Sequence, residues 1–151
     1  MIEQGSYMKS KIYDLMNLMI NDESGLFEVG NLDGYIDKLI EKACIITIMA
    51  QDALQGFLAY YANDYVNKVG FISMLIIDPS TKRMGYGRRL VEFALRDLSM
   101  KGFEKCRTEV NADNIKAVNI CKRLGFTYMG KNDIYMVFEK QLQQSIKPVC
   151  D

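Results

Sequence analysis

Two stretches and one thiol in this sequence have residue types and spacings that could do chemistry. The first stretch is Lys82-Arg83-Met84-Gly85-Tyr86-Gly87-Arg88-Arg89, basic side chains set around two glycines. It follows Asp78-Pro79 and precedes Leu90, Val91, Ala94, Leu95 and Leu98 at helical spacing. A basic, glycine-containing turn that feeds a helix can hold phosphate. Unpaired backbone N–H groups point outward there, the helix dipole favours an anion, and glycines let the backbone come close. The same charges would equally make a solvated patch on an ordinary strand–turn–helix unit. Two familiar phosphate loops are excluded by residue identity: Arg88 and Arg89 follow Gly87 where a P-loop needs Lys-Ser/Thr, and Leu90 stands where a dinucleotide fingerprint needs its third glycine. The second stretch, Glu109-Val-Asn-Ala-Asp-Asn114, carries carboxylates and amides, and Cys121 follows it on a helical pattern.

The rest of the inventory narrows the chemistry by what it lacks. No histidine is present, which removes Ser-His-Asp and Cys-His catalysis and the commonest metal ligand. Cys44, Cys106, Cys121 and Cys150 make no Cys-x-x-Cys motif, so no zinc or redox pair is expected, and reduced thiols in a cytoplasmic protein are. Nineteen basic residues balance nineteen acidic ones, so no global field draws the chain to nucleic acid or an anionic membrane. The first ten residues lack a basic region followed by an apolar run, so no signal peptide is read there. No aliphatic stretch approaches the ~18 residues of a membrane span. At 151 residues, with 49% hydrophobic and 25% charged residues, a single domain over residues 1–151 is expected. Burial of roughly 70% of its unfolded surface would make staples unnecessary.

The elements that must position these residues can be read in order. Ile12, Leu15, Met16, Met19 and Ile20 form the stripe of an amphipathic helix, which Asn21 to Gly25 breaks. A second helix starts near Leu32, capped by Asn31 or Asp33, with Tyr35, Ile36, Leu39, Ile40 and Ala43 inward. Cys44–Met49, Gly56–Ala62 and Phe71–Ile77 read as an antiparallel meander, the last strand apolar enough to be buried on both faces. Asp78-Pro79 stops that strand, and the helix after the glycine loop ends at Lys101-Gly102. Cys106–Val110 then follows through a right-handed crossover, parallel to the Phe71–Ile77 strand. Asn111 to Asn114 caps a short helix with Ala117, Val118, Cys121 and Leu124 inward, which Gly125 ends. Phe126–Met129 and Ile134–Glu139 close the chain as a hairpin around Gly130 to Asp133. The polar tail from Gln141 to Asp151 is expected to fray.

In this arrangement the chain resembles the GNAT superfamily of acetyl-CoA-dependent N-acetyltransferases, from Leu32 to about Leu142. Leu75-Ile-Ile-Asp-Pro79 followed by Lys82-x-x-Gly85-x-Gly87 is similar to the family's strand and its Arg/Gln-x-x-Gly-x-Gly/Ala loop. Glu109-Val-Asn-Ala-Asp-Asn114-x-x-Ala117 with Leu124-Gly-Phe126 is similar to its Val-x-x-x-Asn-x-x-Ala…Gly-Phe segment. The resemblance implies an α+β, α/β/α-layered fold: a mixed, mostly antiparallel central sheet with a splayed parallel strand pair, flanked by helices. It also implies acetyl-CoA as co-substrate, with no metal. Its pyrophosphate would lie on the backbone of Arg83, Met84, Gly85, Tyr86, Gly87 and Arg88, and its pantetheine arm along the backbone of Leu75, Ile76 and Ile77. Asn114 and Ala117 match the family's second cofactor-contacting motif. Lys82 replaces the usual Arg or Gln, keeping charge but losing bidentate geometry. Cys121 stands four residues before Gly125, where many members have a tyrosine thought to protonate the departing thiolate.

Acyl transfer needs the amine neutral, and one of lysine-like pKa, about 10.4, is almost wholly protonated at neutral pH, so a base or a water path to a carboxylate is expected, and the thioester carbonyl needs an oxyanion donor. A backbone N–H near Ile76 could supply the donor. Glu109 is the first choice of base, with a surface ion pair as its other reading. Cys121 is read first as a small buried hydrophobe, then as a general acid, and last as a nucleophile. By the resemblance, the acceptor would be walled by Phe27 to Tyr35, Tyr60 to Tyr65 and Tyr128 to Tyr135, with Glu28, Asp64 and Asp133 as anchors for a cation. That suits a small-molecule amine, including an amino sugar, and a monomer or homodimer without nucleic-acid or membrane partners. The helices before the first strand also look like members met in bacterial surface-polysaccharide pathways. An acetyl-CoA-binding sensor of the same fold with little catalysis is the alternative, favoured by the missing tyrosine.

Overall fold

Hydrophobic spacing sets most of the elements. The computed structural model describes residues 3–20, 31–81 and 84–143. The expected break at Asn21 to Gly25, the acceptor candidates Phe27 and Glu28, the loop residues Lys82 and Arg83, the end of the tail and Cys150 lie outside the described residues. Two helices come first, α1 (Glu3–Ile20) and α2 (Leu32–Lys42). The strands β1 (Cys44–Ala50), β2 (Ala53–Asp64) and β3 (Val69–Ile77) follow, then a 3-10 turn (Pro79–Thr81) and α3 (Tyr86–Met100). The chain continues through β4 (Lys105–Asn111), α4 (Ile115–Arg123), β5 (Thr127–Asn132) and β6 (Tyr135–Gln141). The strands form a mixed sheet in the order β1-β2-β3-β4-β6-β5. β1 pairs antiparallel with β2, β3 parallel with β4, and β6 antiparallel with both β4 and β5.

By contacts the chain divides into two compact units, one of Met1–Tyr61 with Ser73–Val91 and one of Ala62–Ile72 with Glu92–Asp151. The boundary therefore falls inside β2, β3 and α3. In the first unit, Ile12, Leu15 and Met16 of α1 and Ile36 and Leu39 of α2 form one core with Leu54, Phe57, Ala59, Met74 and Ile76. Asn31 caps α2, its Oδ1 accepting from the Gly34 N–H at 3.1 Å. Lys9 joins the two helices by salt bridges to Asp33 at 3.0 Å and Asp37 at 2.8 Å. The β1–β2 turn places Gln51 and Asp52 at φ of 51° and 66°, the left-handed geometry a two-residue hairpin requires.

In the second unit the apolar residues of β4, Cys106 and Val110, are buried, as are Val118 and Cys121 of α4 and Phe138 of β6. α3 ends at Gly102, φ 91°, where the Phe103 N–H reaches the Leu98 carbonyl at 3.0 Å. Gly70 lies directly under Leu98: a Cβ there would come within 2.6 Å of its methyl groups. α4 ends in the same way at Gly125, φ 86°. Across β4 and β6, Arg107 Nε donates to Glu139 at 2.5 Å, and Lys105 approaches the same carboxylate at 3.8 Å.

Three expectations are corrected. β3 is not buried on both faces: Ile72, Met74 and Ile76 are buried, while Phe71, Ser73, Leu75 and Ile77 are half-buried. An apolar run cannot by itself tell a two-sided strand from an alternating one whose second face is also apolar. The hairpin turn contracts to Asp133-Ile134, because β5 continues through Gly130 by a register shift between Tyr128 and Gly130. The tail does not fray from Gln141: β6 includes Gln141, Leu142 is buried with its N–H on the Glu104 carbonyl at 2.9 Å, and Ser99 Oγ donates to the Gln143 carbonyl.

Candidate functional site

The phosphate-loop stretch folds from its own local bonds. Asp78 ends β3 and organises the turn: its Oδ1 accepts from the N–H and Oγ of Ser80 at 2.9 and 2.8 Å, and its carbonyl accepts from the N–H and Oγ1 of Thr81 at 2.9 and 2.8 Å. Its own N–H donates to the Gln55 carbonyl at 2.8 Å, tying the end of β3 to the start of β2. Gly56 makes that approach possible. A Cβ there would meet Ile77 Cδ1 at 2.8 Å and the Ile76 carbonyl at 3.0 Å. Gly56 was not singled out in the sequence, where it looks like any strand glycine.

The start of α3 is open backbone. Gly85 has φ 74°, and nothing lies within 4 Å of where its Cβ would be. The first helical bond runs from the Arg89 N–H to the Gly85 carbonyl at 3.1 Å, so the N–H groups of Gly85, Tyr86 and Gly87 have no carbonyl a turn earlier within the helix. A Cβ on Gly87 would touch Leu75 Cδ2 at 3.7 Å and Ile77 Cγ1 at 3.9 Å, so this turn of helix lies against the last residues of β3. Ile76 turns its side chain into the core, and Met84, Arg88 and Arg89 are exposed. Orphan donors, a positive dipole end and adjacent guanidinium groups together suit an anion such as a pyrophosphate.

The second stretch is built from side chains already engaged in structure. Asn114 Oδ1 caps α4, accepting from the Ala117 N–H at 3.1 Å, which leaves the Nδ2 hydrogens outside the cap. Ala117 is half-buried. Glu109 is exposed on β4 and accepts from Asn132 Nδ2 of β5 at 3.2 Å. Cys121 is 8% exposed, and burial pushes its thiol up to about 11. Burial pushes Cys106 up to about 12, with nearby Cys121 adding to the shift. Two firmly protonated thiols in one interior fit the small-hydrophobe reading of Cys121 and oppose a nucleophile, which must be a thiolate. Cys44, Cys106 and Cys121 are free thiols.

The residues nominated for an acceptor fall into both units. In the first, Tyr35 and Tyr61 pack on the core, and the Tyr61 hydroxyl is shifted up by burial and then by Tyr35. Tyr60 is buried. In the second, Tyr65 tilts against Phe103 and Tyr128 stands edge-on to Phe138, with centroids 5.2 and 5.9 Å apart. Asp64 uses both carboxylate oxygens on Asn67, whose backbone and side-chain donors hold its carboxyl below the ordinary value. Asp133 sits at φ 58° in the hairpin turn. Among the described residues no cluster of three metal-ligating side chains occurs, and no helix is long and apolar enough to cross a membrane.

Comparison with known proteins identifies the fold and the family. The mycothiol acetyltransferase of Saccharopolyspora erythraea is 30% identical over 82 residues, 54% of this chain and 26% of the relative. The chain thus spans about a quarter of the length of that curated relative. Among solved structures, a GNAT-family protein from Desulfovibrio desulfuricans superposes with a TM-score of 0.75 at 12% identity, over 88% of this chain and 91% of the other. The PaiA N-acetyltransferase of Thermoplasma acidophilum, solved in complex with coenzyme A, gives 0.70 at 15% identity, over 93% and 94%. At these identities the structures establish the fold, the α+β GNAT arrangement expected from the two motifs. The model of the acetyltransferase (GNAT) family matches residues 12–126, and the chain belongs to that family of acyltransferases.

Proposed function

We propose that the chain is a single acetyltransferase domain that moves an acetyl group from acetyl-CoA directly to the primary amine of a small molecule, amino sugars included. The observation that carries the reading is the start of α3: Gly85 in left-handed geometry with an open Cβ side, followed by N–H groups with no helical acceptor, against the end of β3. That geometry fits a pyrophosphate, and the adjoining backbone of Leu75, Ile76 and Ile77 suits an extended, amide-bearing pantetheine arm.

Acetyl-CoA supplies the activated acyl group as a thioester; the remaining work falls to this chain. The N–H groups of Gly85, Tyr86 and Gly87 hold the anion, with Lys82, Arg83 and Arg88 contributing charge. The N–H near Ile76 donates to the acyl oxygen. Transfer from the neutral amine removes one proton from nitrogen and places one on the leaving sulfur, after an ammonium acceptor has released its extra proton to solvent. Glu109, exposed and held by Asn132, is the proposed acceptor of the first. Cys121, with its thiol at about 11, can hold a proton throughout the neutral range but is buried, so its proposed part is at most auxiliary. The Nδ2 group of Asn114 is the proposed second contact to the co-substrate.

The test is to incubate the protein with acetyl-CoA and a panel of amines, amino sugars, amino acids and antibiotics while following free thiol. Release with an amine present, above the rate with acetyl-CoA alone, is the expected result. Measurable acetyl-CoA binding without release for any acceptor would favour the sensor, to which the absence of a tyrosine at Cys121 points.

A further inference from the structure

β3 and β4 pair in parallel at Val69↔Lys105, Gly70↔Cys106, Phe71↔Arg107 and Ile72↔Thr108, and β3 then continues to Ile77 without a further pair to β4. At that last pair the Thr108 hydroxyl donates to the Ile72 carbonyl at 3.0 Å, in a buried setting. Thr108 shares its face of β4 with Cys106 and Val110, both buried and apolar. A valine would fill the same volume. A hydroxyl in such a row is costly unless bonded, and the backbone carbonyl of the neighbouring strand supplies the bond.

We infer that Thr108 is a positioning residue for the co-substrate: its hydroxyl anchors the Ile72 carbonyl at the last pair of the ladder and so fixes where the stretch of β3 that receives the pantetheine arm begins. No later pair between β3 and β4 can do this, because their ladder stops there, and the β2 side holds β3 only along its other edge. The inference rests on the proposed role of β3 in binding coenzyme A. Thr108 acts through the β3 backbone and needs no contact with the ligand.

The experiment compares the full chain with its Thr108→Val, Thr108→Ser and Thr108→Cys variants by calorimetric titration with coenzyme A. Hydrogen exchange of the peptide covering Gly70 to Ile77 is followed without ligand. Thr108→Val is expected to weaken coenzyme A binding about fivefold, the fold-change that one net hydrogen bond corresponds to. It is also expected to speed exchange in that peptide, while Thr108→Ser stays within about twofold of the parent. In turnover, the KM for acetyl-CoA rises with kcat retained. If Thr108→Val does not fold, Thr108→Cys decides with Thr108→Ser as its control, because both lack the β-branch methyl and only the cysteine weakens the donor. Unchanged affinity and exchange in Thr108→Val, or in Thr108→Cys, with only a lowered Tm would overturn the inference and leave the proposed function standing. A parent protein that does not bind coenzyme A would overturn both.

Discussion

The end of β3 with the start of α3, and the segment from β4 through α4, differ in what is left for a ligand to use. In the first the groups on offer are backbone: N–H donors before the first bond of α3, an open glycine at φ 74°, and strand residues that turn Ile76 into the core while presenting main chain. In the second the candidate groups are side chains that also hold the fold: Asn114 caps α4, Glu109 binds Asn132, and Cys121 fills the interior. A backbone site depends on conformation and tolerates many side chains, so its trace in a sequence is glycine spacing. A side-chain site must share each residue between folding and chemistry, so identity alone does not reveal which task dominates.

The largest effect expected from this contrast is in the backbone region. Gly85→Asp combined with Gly87→Asp strains the left-handed residue and sets two carboxylates at the dipole end of α3. Acetyl-CoA affinity should fall about a hundredfold or more, the worth of one to two charge-assisted hydrogen bonds. The helical circular dichroism should be nearly unchanged, since neither position has a neighbour within 3.4 Å of its Cβ. Affinity left intact would remove the phosphate-loop account.

Next comes Glu109→Gln, which is expected to lower kcat about a hundredfold with coenzyme A affinity unchanged, as loss of a general base does. Stability should move by no more than about 0.5 kcal/mol at this exposed position. Equal kcat would return Glu109 to the role of a surface hydrogen-bond partner. Asn114 separates capping from ligand contact more finely. Asn114→Ser keeps an N-cap oxygen and loses the amide donors, so it should hold its Tm and weaken coenzyme A binding about threefold, whereas Asn114→Ala should also lose about 1 kcal/mol of stability.

The smallest effect concerns the thiols. Cys121→Ala should retain turnover within about threefold, and near-total loss with normal binding would make Cys121 the proton donor. Cys106 and Cys121 have folded pKa values raised to about 12 and about 11 from 9.0. The native state keeps protons that the unfolded chain releases, so their contribution to stability is complete below pH 9.0 and declines as pH rises toward those values. Urea midpoints measured at rising pH should fall above pH 9.0, and fall less in Cys106→Ala.

Much of this fold was legible because its signals are local. The α1 and α2 stripes, the Asn31 cap, the glycine ends of α3 and α4 and the strand–helix–strand crossover each depend on a few neighbouring residues. What was not legible depends on partners distant in sequence. The alternating burial of β3 depends on what covers each face. Gly56 matters because β3 comes within 3.0 Å of its missing Cβ, and Glu139 matters because Arg107 lies opposite it in register. Asp64 read as a free anchor for a cation until Asn67 claimed both of its oxygens. The structural setting of the proposed site was legible in the same measure: a glycine turn after a strand could be named from spacing, but the prior duties of Glu109, Asn114 and Cys121 could not.

The central claim is that the opening backbone of α3 holds the co-substrate's pyrophosphate, and amide chemical shifts report on it directly. In a titration of the isotopically labelled protein with coenzyme A, the N–H signals of Gly85, Tyr86 and Gly87 should show the largest downfield shifts, and pantetheine, which lacks the pyrophosphate, should leave them nearly in place. Coenzyme A binding that shifts other amides and leaves these three unmoved would contradict the account.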